Sequence, residues 1–368
     1  MRELKRIIRR ALARGVVPAC YYAVKRVAWR LNKGVARSLE PKVTVVLPVY
    51  NVEAYLADAV NSILGQGWGN LDLIAVNDGA TDGSLKILEK IAKRDSRLRI
   101  HTKVNGGLGA ARNTGVALIK DTDYLLFVDS DDILPLGTIK RYVEALEHSS
   151  SPLAIGRPGC FYGARYFDRP GFKSTYAQNR REVSINAIPD VVGDLTAWNK
   201  FFKWDFYKGA KFPEGIRYED MTLMMKLLLK APSIDVVAAR QYAWRVRGEG
   251  ESLSKMTTEL KSLNDRVGSM REIVAMLKKA VKAGRIDQAV YQGYLSRAIT
   301  LDFQLFAPAI EEANLSFFAA FKLAASELLR DADETVWANA SGQYKAIVRE
   351  AMTGSRASTV RRLQESRR

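Results

Sequence analysis

The sequence predicts an α/β protein: a mostly parallel, doubly wound sheet with flanking helices, followed by an all-helical region. Three observations lead there. From Lys42, strand-like and helix-like segments alternate in the order β-α-β-α-β-α-β, the pattern of a parallel sheet with crossover helices. The strands end on polar residues, namely Tyr50 and Asn51, Asp78, and Asp129 and Asp131. In such sheets ligands bind beyond the C-terminal strand ends. After about Met256 the spacing is helical, with no strong strand signal to the end.

The elements follow in order. VTVVLPVY (43–50) is apolar and β-branched, a buried strand, and Glu53 to Leu64 has helix spacing. LDLIAVND (71–78) is a second strand that ends on a carboxylate, followed by a helix over 84–94. LRIHTK (98–103) is the third strand and LGAARNTGVALIK (108–120) the third helix. DYLLFVDSDD (123–132) is a fourth strand that ends in acid. Residues 151–215 are rich in aromatics, Gly and Pro and show little periodicity. Glu219 to Leu229 reads as a helix and Ile234 to Val246 as a strand. Four regions result: a basic amphipathic segment over 1–41, an α/β unit over 42–255, a helical region over 256–355 and a basic tail over 356–368.

The chain has 368 residues and a formal net charge of +17, an excess that favours polyanionic partners or anionic membrane surfaces. Leu4, Ile7, Ile8, Ala11 and Leu12 line one helix face, with Arg2, Lys5, Arg6, Arg9 and Arg10 opposite. Such a helix suits either an anionic membrane surface or packing against the protein itself. No stretch has the roughly 20 apolar residues of a membrane span, and the N-terminus lacks signal-peptide character. The expected location is therefore cytoplasmic, peripheral on the inner face of the plasma membrane if the basic segment binds lipid. Cys20 and Cys160 make neither a disulfide framework nor a zinc spacing. With only His101 and His148, a histidine-based metal site or triad is hard to build.

Three motifs carry chemistry. In DSDD (129–132), Asp129 and Asp131 at i and i+2 of an extended segment point the same way. They can converge on Mg²⁺ or Mn²⁺, whose shell a diphosphate and water would complete; a solvated turn is the plain alternative. In VNDGATDGS (76–84), Asp78 is delivered to a strand end where it can accept hydrogen bonds from a base, and Asp82 fits a helix cap. NGGLGAARNTG (105–115) departs from a dinucleotide fingerprint because Arg112 stands where a glycine is needed. Asn105 and the glycines instead bring backbone toward a ligand, and Arg112 offers fixed charge toward phosphate or the acidic cluster. No Walker A pattern occurs.

Taken together, LPVYN (47–51), the VNDG–TDGS stretch, NGGLGAARNTG and DSDD resemble, in order and spacing, the N-terminal half of family 2 inverting glycosyltransferases of the GT-A fold. The resemblance continues through AWNKFF (197–202), FPEGIRYEDMTLMMKLLLKA (212–231) and YAWRVRGEGESLS (242–254). The helical C-terminus is loosely similar to tails of cell-wall polymer glycosyltransferases, of teichoic-acid or capsular type. The resemblance implies a nucleotide-sugar donor, a UDP-sugar first, and Mn²⁺ or Mg²⁺ as cofactor. Pro48 and Tyr50 would border the base, which Asp78 reads. Asn105, Arg112 and Ser130 would line the nucleotide-sugar pocket. Asp129 would approach ribose or metal, Asp131 would be the main metal ligand, and Asp220 of the YED triplet the general base. Arg247 and Ser252 would close over the diphosphate. Trp198, Asn199 and Lys200 are candidates for the acceptor side.

The processive branch carries Q-x-x-R-W and membrane spans; QYAWR (241–245) has Trp244 and Arg245 in the opposite order. Transfer of one or a few sugars is therefore expected, to a polyanionic or lipid-linked cell-envelope acceptor. Two other readings are a catalytically silent sugar-nucleotide-binding scaffold and a charge-driven nucleic-acid binder. The second lacks any recognisable motif, so no specific nucleic acid is expected. The C-terminal helices offer a docked bundle or a homo-oligomer interface, with Val267, Met270, Ile273, Val274 and Leu277 on one face.

Overall fold

The structure, a computed structural model, describes residues 40–163, 165–168, 174–247, 257–340 and 342–367. The amphipathic reading of the N-terminal segment, and Ser252, lie outside the described residues.

Strands β1 (Val43–Val49), β2 (Leu71–Asn77), β3 (Leu98–Thr102) and β4 (Tyr124–Phe127) are all parallel, in the order β3-β2-β1-β4. Helices α1 (Glu53–Leu64), α2 (Ser84–Ala92) and α3 (Leu108–Ala117) connect them. Every residue of β1 is buried, as its run of β-branched and apolar side chains requires of a strand covered on both faces. The chain reverses its direction across the sheet at β1, so the ends of β1, β2 and β4 converge on one edge.

Helix α4 (Thr138–Glu147) leads to a second half that the sequence signals poorly. Strands β5 (Leu153–Tyr162), β6 (Arg165–Asp168), β7 (Arg180–Val183) and β8 (Lys200–Lys203) all come from the weakly periodic 151–215 stretch. After the short α5 (Trp204–Tyr207) come α6 (Asp220–Lys230) and β9 (Ile234–Arg245). The sheet continues β4-β8-β5-β9-β7, with β6 paired to the far end of β5. β8 runs antiparallel to both β4 and β5, so the nine-stranded sheet is mixed. Phe201 of β8 is sandwiched between Tyr124 and Tyr142, with centroids 4.9 and 5.1 Å away. That packing accounts for much of the aromatic density of this stretch.

One expectation fails locally. The fourth strand ends at Phe127, and Asp129 to Asp132 form a turn, the Asp132 N–H reaching the Asp129 carbonyl at 3.2 Å. Glycines of the 105–115 motif also do different work from that expected. A Cβ on Gly115 would lie 2.4 Å from Val46 Cγ1, so this glycine lets α3 press onto β1. Gly115→Ala is expected to destabilise the protein by about 1–3 kcal/mol through overpacking, read as a lower urea midpoint at unchanged m value.

The C-terminal helices are α7 (Leu260–Lys282), α8 (Gln288–Arg297), α9 (Phe303–Phe306), α10 (Leu315–Leu328), α11 (Glu334–Asn339), α12 (Lys345–Thr353) and α13 (Arg356–Glu365). A π-helical turn over Ala298–Asp302 joins α8 to α9. The α7 stripe Val267, Met270, Ile273, Val274 and Leu277 is buried. One apolar cluster runs from Val46, Phe127 and Ile155 of the sheet through α6 to Leu363. The change near residue 256 is thus one of secondary structure, not of core. The segment expected as a tail is the helix α13, capped by Ser355 and anchored by buried Thr359 and Leu363.

Candidate active site

The acidic turn is braced from three sides. Asp132 is fully buried; its carboxylate accepts the Tyr242 hydroxyl and the Arg245 N–H, each at 2.7 Å. Tyr242 also accepts the Asp129 N–H at 3.0 Å, and Arg245 Nε donates to the Asp131 carbonyl at 2.7 Å. Burial raises the Asp132 carboxyl well above the usual range, and the nearby Asp131 and Asp129 charges add to this. Asp132 therefore fixes the turn from below while Asp129 and Asp131 reach its surface. Asp131 accepts from Arg247 Nε at 2.9 Å, and burial raises its carboxyl against the pull of that arginine.

Arg112 is the hub. Its guanidinium, 1% exposed, donates to Asp129 at 2.7 Å and to Glu219, and lies 5.2 Å from the Phe212 ring centroid. Burial pushes the Glu219 carboxyl up to about 7, with Arg112 opposing and Asp220 reinforcing. The folded state therefore holds this proton where the unfolded chain has lost it. Stability from this group is fully present below about pH 4.5 and is lost as pH rises through about 7. Unfolding midpoints measured across that window are expected to fall with pH, and Glu219→Gln to flatten the slope.

Asp220 opens α6. No side chain caps the start of α6, and Glu219 is spent on Arg112. Asp220 is half-buried and makes no hydrogen bond to a described residue. Burial raises its carboxyl, Arg112, Arg266 and Arg297 pull it down, and Asp129 raises it again. The loop before it is gripped by α7. Tyr218 has φ +60°, a genuine outlier for a bulky side chain, and three contacts over-determine it: its hydroxyl meets Ser262 at 3.0 Å, Arg266 lies 4.5 Å over its ring, and Phe306 meets the ring edge-on. Arg266 and Arg297 in turn share Asp302 of the π-helical turn.

The expected nucleotide-side residues form a second group. Both oxygens of Asp78 are engaged, by Lys103 Nζ at 2.8 Å and by the N–H groups of Gly106 and Gly107 at 3.0 and 2.8 Å. Asp78 thereby shapes the 105–107 loop, and the approach of Gly79 to the Asn105 backbone is close enough that a Cβ would sit 3.0 Å from its nitrogen. Asn105 is exposed and Tyr50 is 50% exposed, whereas Pro48 and Ser130 are buried and offer a ligand little surface.

The acceptor-side candidates are corrected. Trp198, Asn199 and Lys200 are 5, 0 and 1% exposed. Trp198 stacks on Tyr242 at 4.1 Å, behind the acidic turn. Asn199 and Lys200 bond Asp194 at 2.6 and 3.2 Å inside the core. Lys200 opens β8, a strand that the aromatic-rich stretch hid, and the polarity of both residues is used internally. Sequence reasoning missed Asp132, Tyr242, Arg245, Lys103 and Tyr218. It read Glu219 only as a helix-start acid; its place beside Asp220 was the one available signal.

The hard oxygen donors suit a divalent cation. Asp129 and Asp131 each give one oxygen to an arginine, and the other accepts no hydrogen bond from a described residue. Among the described residues no group of three or more His, Cys, Asp or Glu forms a closed metal site. A cation here would thus rely on ligand oxygens and water, the habit of Mg²⁺.

Comparison with known proteins agrees with this geometry. Residues 44–207 match the model of "Glycosyl transferase family 2". The glycosyltransferase GlyA of Streptococcus pneumoniae is 30% identical over 253 residues, 65% of this chain and 35% of its own length. The poly(ribitol-phosphate) beta-glucosyltransferase of Bacillus spizizenii is 29% identical over 67% of this chain and 38% of its own. The chain thus spans little more than a third of either. In three dimensions, S. aureus TarS 1–349 in complex with UDP-GlcNAc superposes with TM-score 0.67 at 23% identity, covering 88% of this chain and 90% of that one. The mannosyltransferase PcManGT of Pyrobaculum calidifontis, in complex with GDP-Man and Mn²⁺, gives 0.51 at 17% identity, covering 95% and 94%. The chain carries a glycosyl transferase family 2 domain, folded as GT-A.

Proposed function

We propose that this chain is an inverting glycosyltransferase that moves a sugar from a UDP-sugar to a hydroxyl of a cell-envelope polymer, with a divalent cation at Asp129 and Asp131. The observation that carries this reading is Asp220: a half-buried carboxylate with no hydrogen-bond partner among the described residues, raised by burial, beside the Arg112–Asp129 pair. The UDP-GlcNAc bound by TarS and the polymer named for the Bacillus relative support the donor and acceptor classes.

A cation held by Asp129 and Asp131 would supply positive charge against the diphosphate leaving group. The chain's own residues do the rest. Arg247, 2.9 Å from Asp131, can pass part of its charge to the diphosphate. Arg112 keeps Asp129 oriented. Asp220 takes the proton of the acceptor hydroxyl as the new C–O bond forms and the bond to the diphosphate breaks. A carboxyl raised above its ordinary value is a better base for this step at neutral pH. One displacement inverts the anomeric centre.

The test is transfer from UDP-Glc, UDP-GlcNAc and UDP-Gal to poly(ribitol phosphate), with Mn²⁺ or with chelator. Transfer from one donor, abolished by chelator, with the anomeric configuration inverted by NMR is expected. A product that retains the donor's configuration would contradict the single displacement.

A further inference from the structure

Strand β6 is anomalous for a folded sheet. All four of its residues, Arg165, Tyr166, Phe167 and Asp168, are exposed. Tyr166 and Phe167 are 47 and 44% exposed, and Tyr162 across the hairpin is 56% exposed. Side chains alternate along a strand, so Tyr166 shares the face of its partner Phe161, on which it stacks, and Tyr162 and Phe167 stand on the opposite face.

Beside it stands an arrangement that folding alone disfavours. Arg157 of β5 lies directly opposite Arg240 of β9, with register shifts on both sides of that pair. Like charges opposite one another in a sheet are destabilising, and bulges are devices that re-aim side chains near functional sites. Gly159 clears the space: a Cβ there would lie 2.3 Å from Arg240 Nε. The two guanidinium groups share a single oxygen of Asp168, at 2.6 and 3.1 Å. Arg240 Nε is buried and has no hydrogen-bond partner among the described residues. Two cations thus converge on one exposed carboxylate, with donor capacity left over.

The pair is joined to the acidic turn by a ladder of rings and guanidinium groups. Arg240 lies over Tyr166 at 5.5 Å, Tyr166 stacks on Phe161 at 5.4 Å, and Arg245 lies over Phe161 at 4.6 Å. Arg245 and Arg247 both face Tyr55, at 5.0 and 5.2 Å, and Arg247 ends on Asp131.

We infer that the β5–β6 hairpin, with Arg157, Arg240 and Tyr166 at its centre, is a docking track for a phosphodiester-linked polymer acceptor. It rests on the transferase reading and adds to it the surface that holds the acceptor. A guanidinium fork can take the two free oxygens of a phosphodiester bidentately, and the polymer acceptor proposed above carries such a group between its units. The half-exposed Tyr166 ring beside Arg240 offers flat apolar surface to the sugar or polyol units between phosphates. Strands β1, β4 and β8 lie between β2, which leads to the Asp78 loop, and β5, so the track and that loop use different parts of the sheet.

The experiment uses the full chain and poly(ribitol phosphate), with polygalacturonate as the carboxylate control. Polymer affinity is measured by calorimetry or affinity electrophoresis at several salt concentrations, and UDP affinity is measured on the same samples. The double variant Arg157→Gln/Arg240→Gln is expected to lose at least about tenfold in affinity for poly(ribitol phosphate) and to show a shallower salt dependence, as lost phosphate contacts do on other polyanions. Tyr166→Phe keeps the ring and its stacking on Phe161 and is expected to bind the polymer as wild type does, whereas Tyr166→Ala is expected to weaken polymer binding without changing its salt slope. UDP affinity stays unchanged in all of them. If wild type binds and turns over the polymer and the double variant does so equally well, the track is wrong and the transferase reading stands. If polygalacturonate binds as tightly and responds to the same variants, the phosphodiester assignment is overturned. If wild type binds UDP but not the polymer, this inference and the acceptor class fall together, and the donor half of the reading survives.

Discussion

Asp220→Asn is expected to lower turnover by roughly 10²–10⁴-fold, the range that a positioned general base contributes, with no change in UDP affinity. Asparagine keeps the shape of the side chain and cannot take a proton. The substitution should also be quiet for stability, because Asp220 makes no hydrogen bond to a described residue. It even removes one of the charges that raise Glu219. Rates measured at saturating donor, beside UDP titrations of the same preparation, separate a lost base from a damaged pocket. Less than a tenfold loss would move the base elsewhere.

Arg112→Met should act on the fold first. The guanidinium is 1% exposed and is held between Asp129 and Glu219. Its own proton is held more tightly than usual: burial works against the charge, and Asp129, Glu219 and Asp220 more than offset it. Removing it leaves buried Glu219 uncompensated. Breaking one partner of a buried pair costs about 3–5 kcal/mol. The expected readout is a large drop in the urea midpoint at pH 8, partly recovered at pH 5, where Glu219 can hold a proton. Equal losses at both pH values would show that packing, not charge, sets the cost.

How far the sequence reached depended on the kind of signal. The strands β1, β2 and β3 and the helices between them were legible because apolar runs and polar strand ends repeat in order. β8 was not, since its four residues open with a lysine whose charge is paired inside the core with Asp194. A short strand carrying a buried lysine has no periodicity to find. The same fact misplaced the acceptor side: Asn199 and Lys200 look like ligand-binding residues and are core polar groups. Asp129, Asp131, Arg112 and Asp220 were singled out as candidates from their motifs. Their bracing by Asp132, Tyr242 and Tyr218 was not, because it joins segments up to 113 residues apart. The arginine pair on the hairpin is invisible in sequence for a related reason, since bulges set it.

The proposed chemistry needs a cation shared between the acidic turn and a nucleoside diphosphate. Calorimetric titration of UDP into the full chain, with Mn²⁺ and with chelator, on wild type and Asp131→Ala, tests this most directly. The expected result is binding that requires Mn²⁺ and is lost in the variant, with GDP, CDP and dTDP weaker. Binding of UDP with equal affinity in chelator and in Asp131→Ala would contradict the assignment of Asp131, and absence of any nucleotide binding would contradict the transferase reading itself.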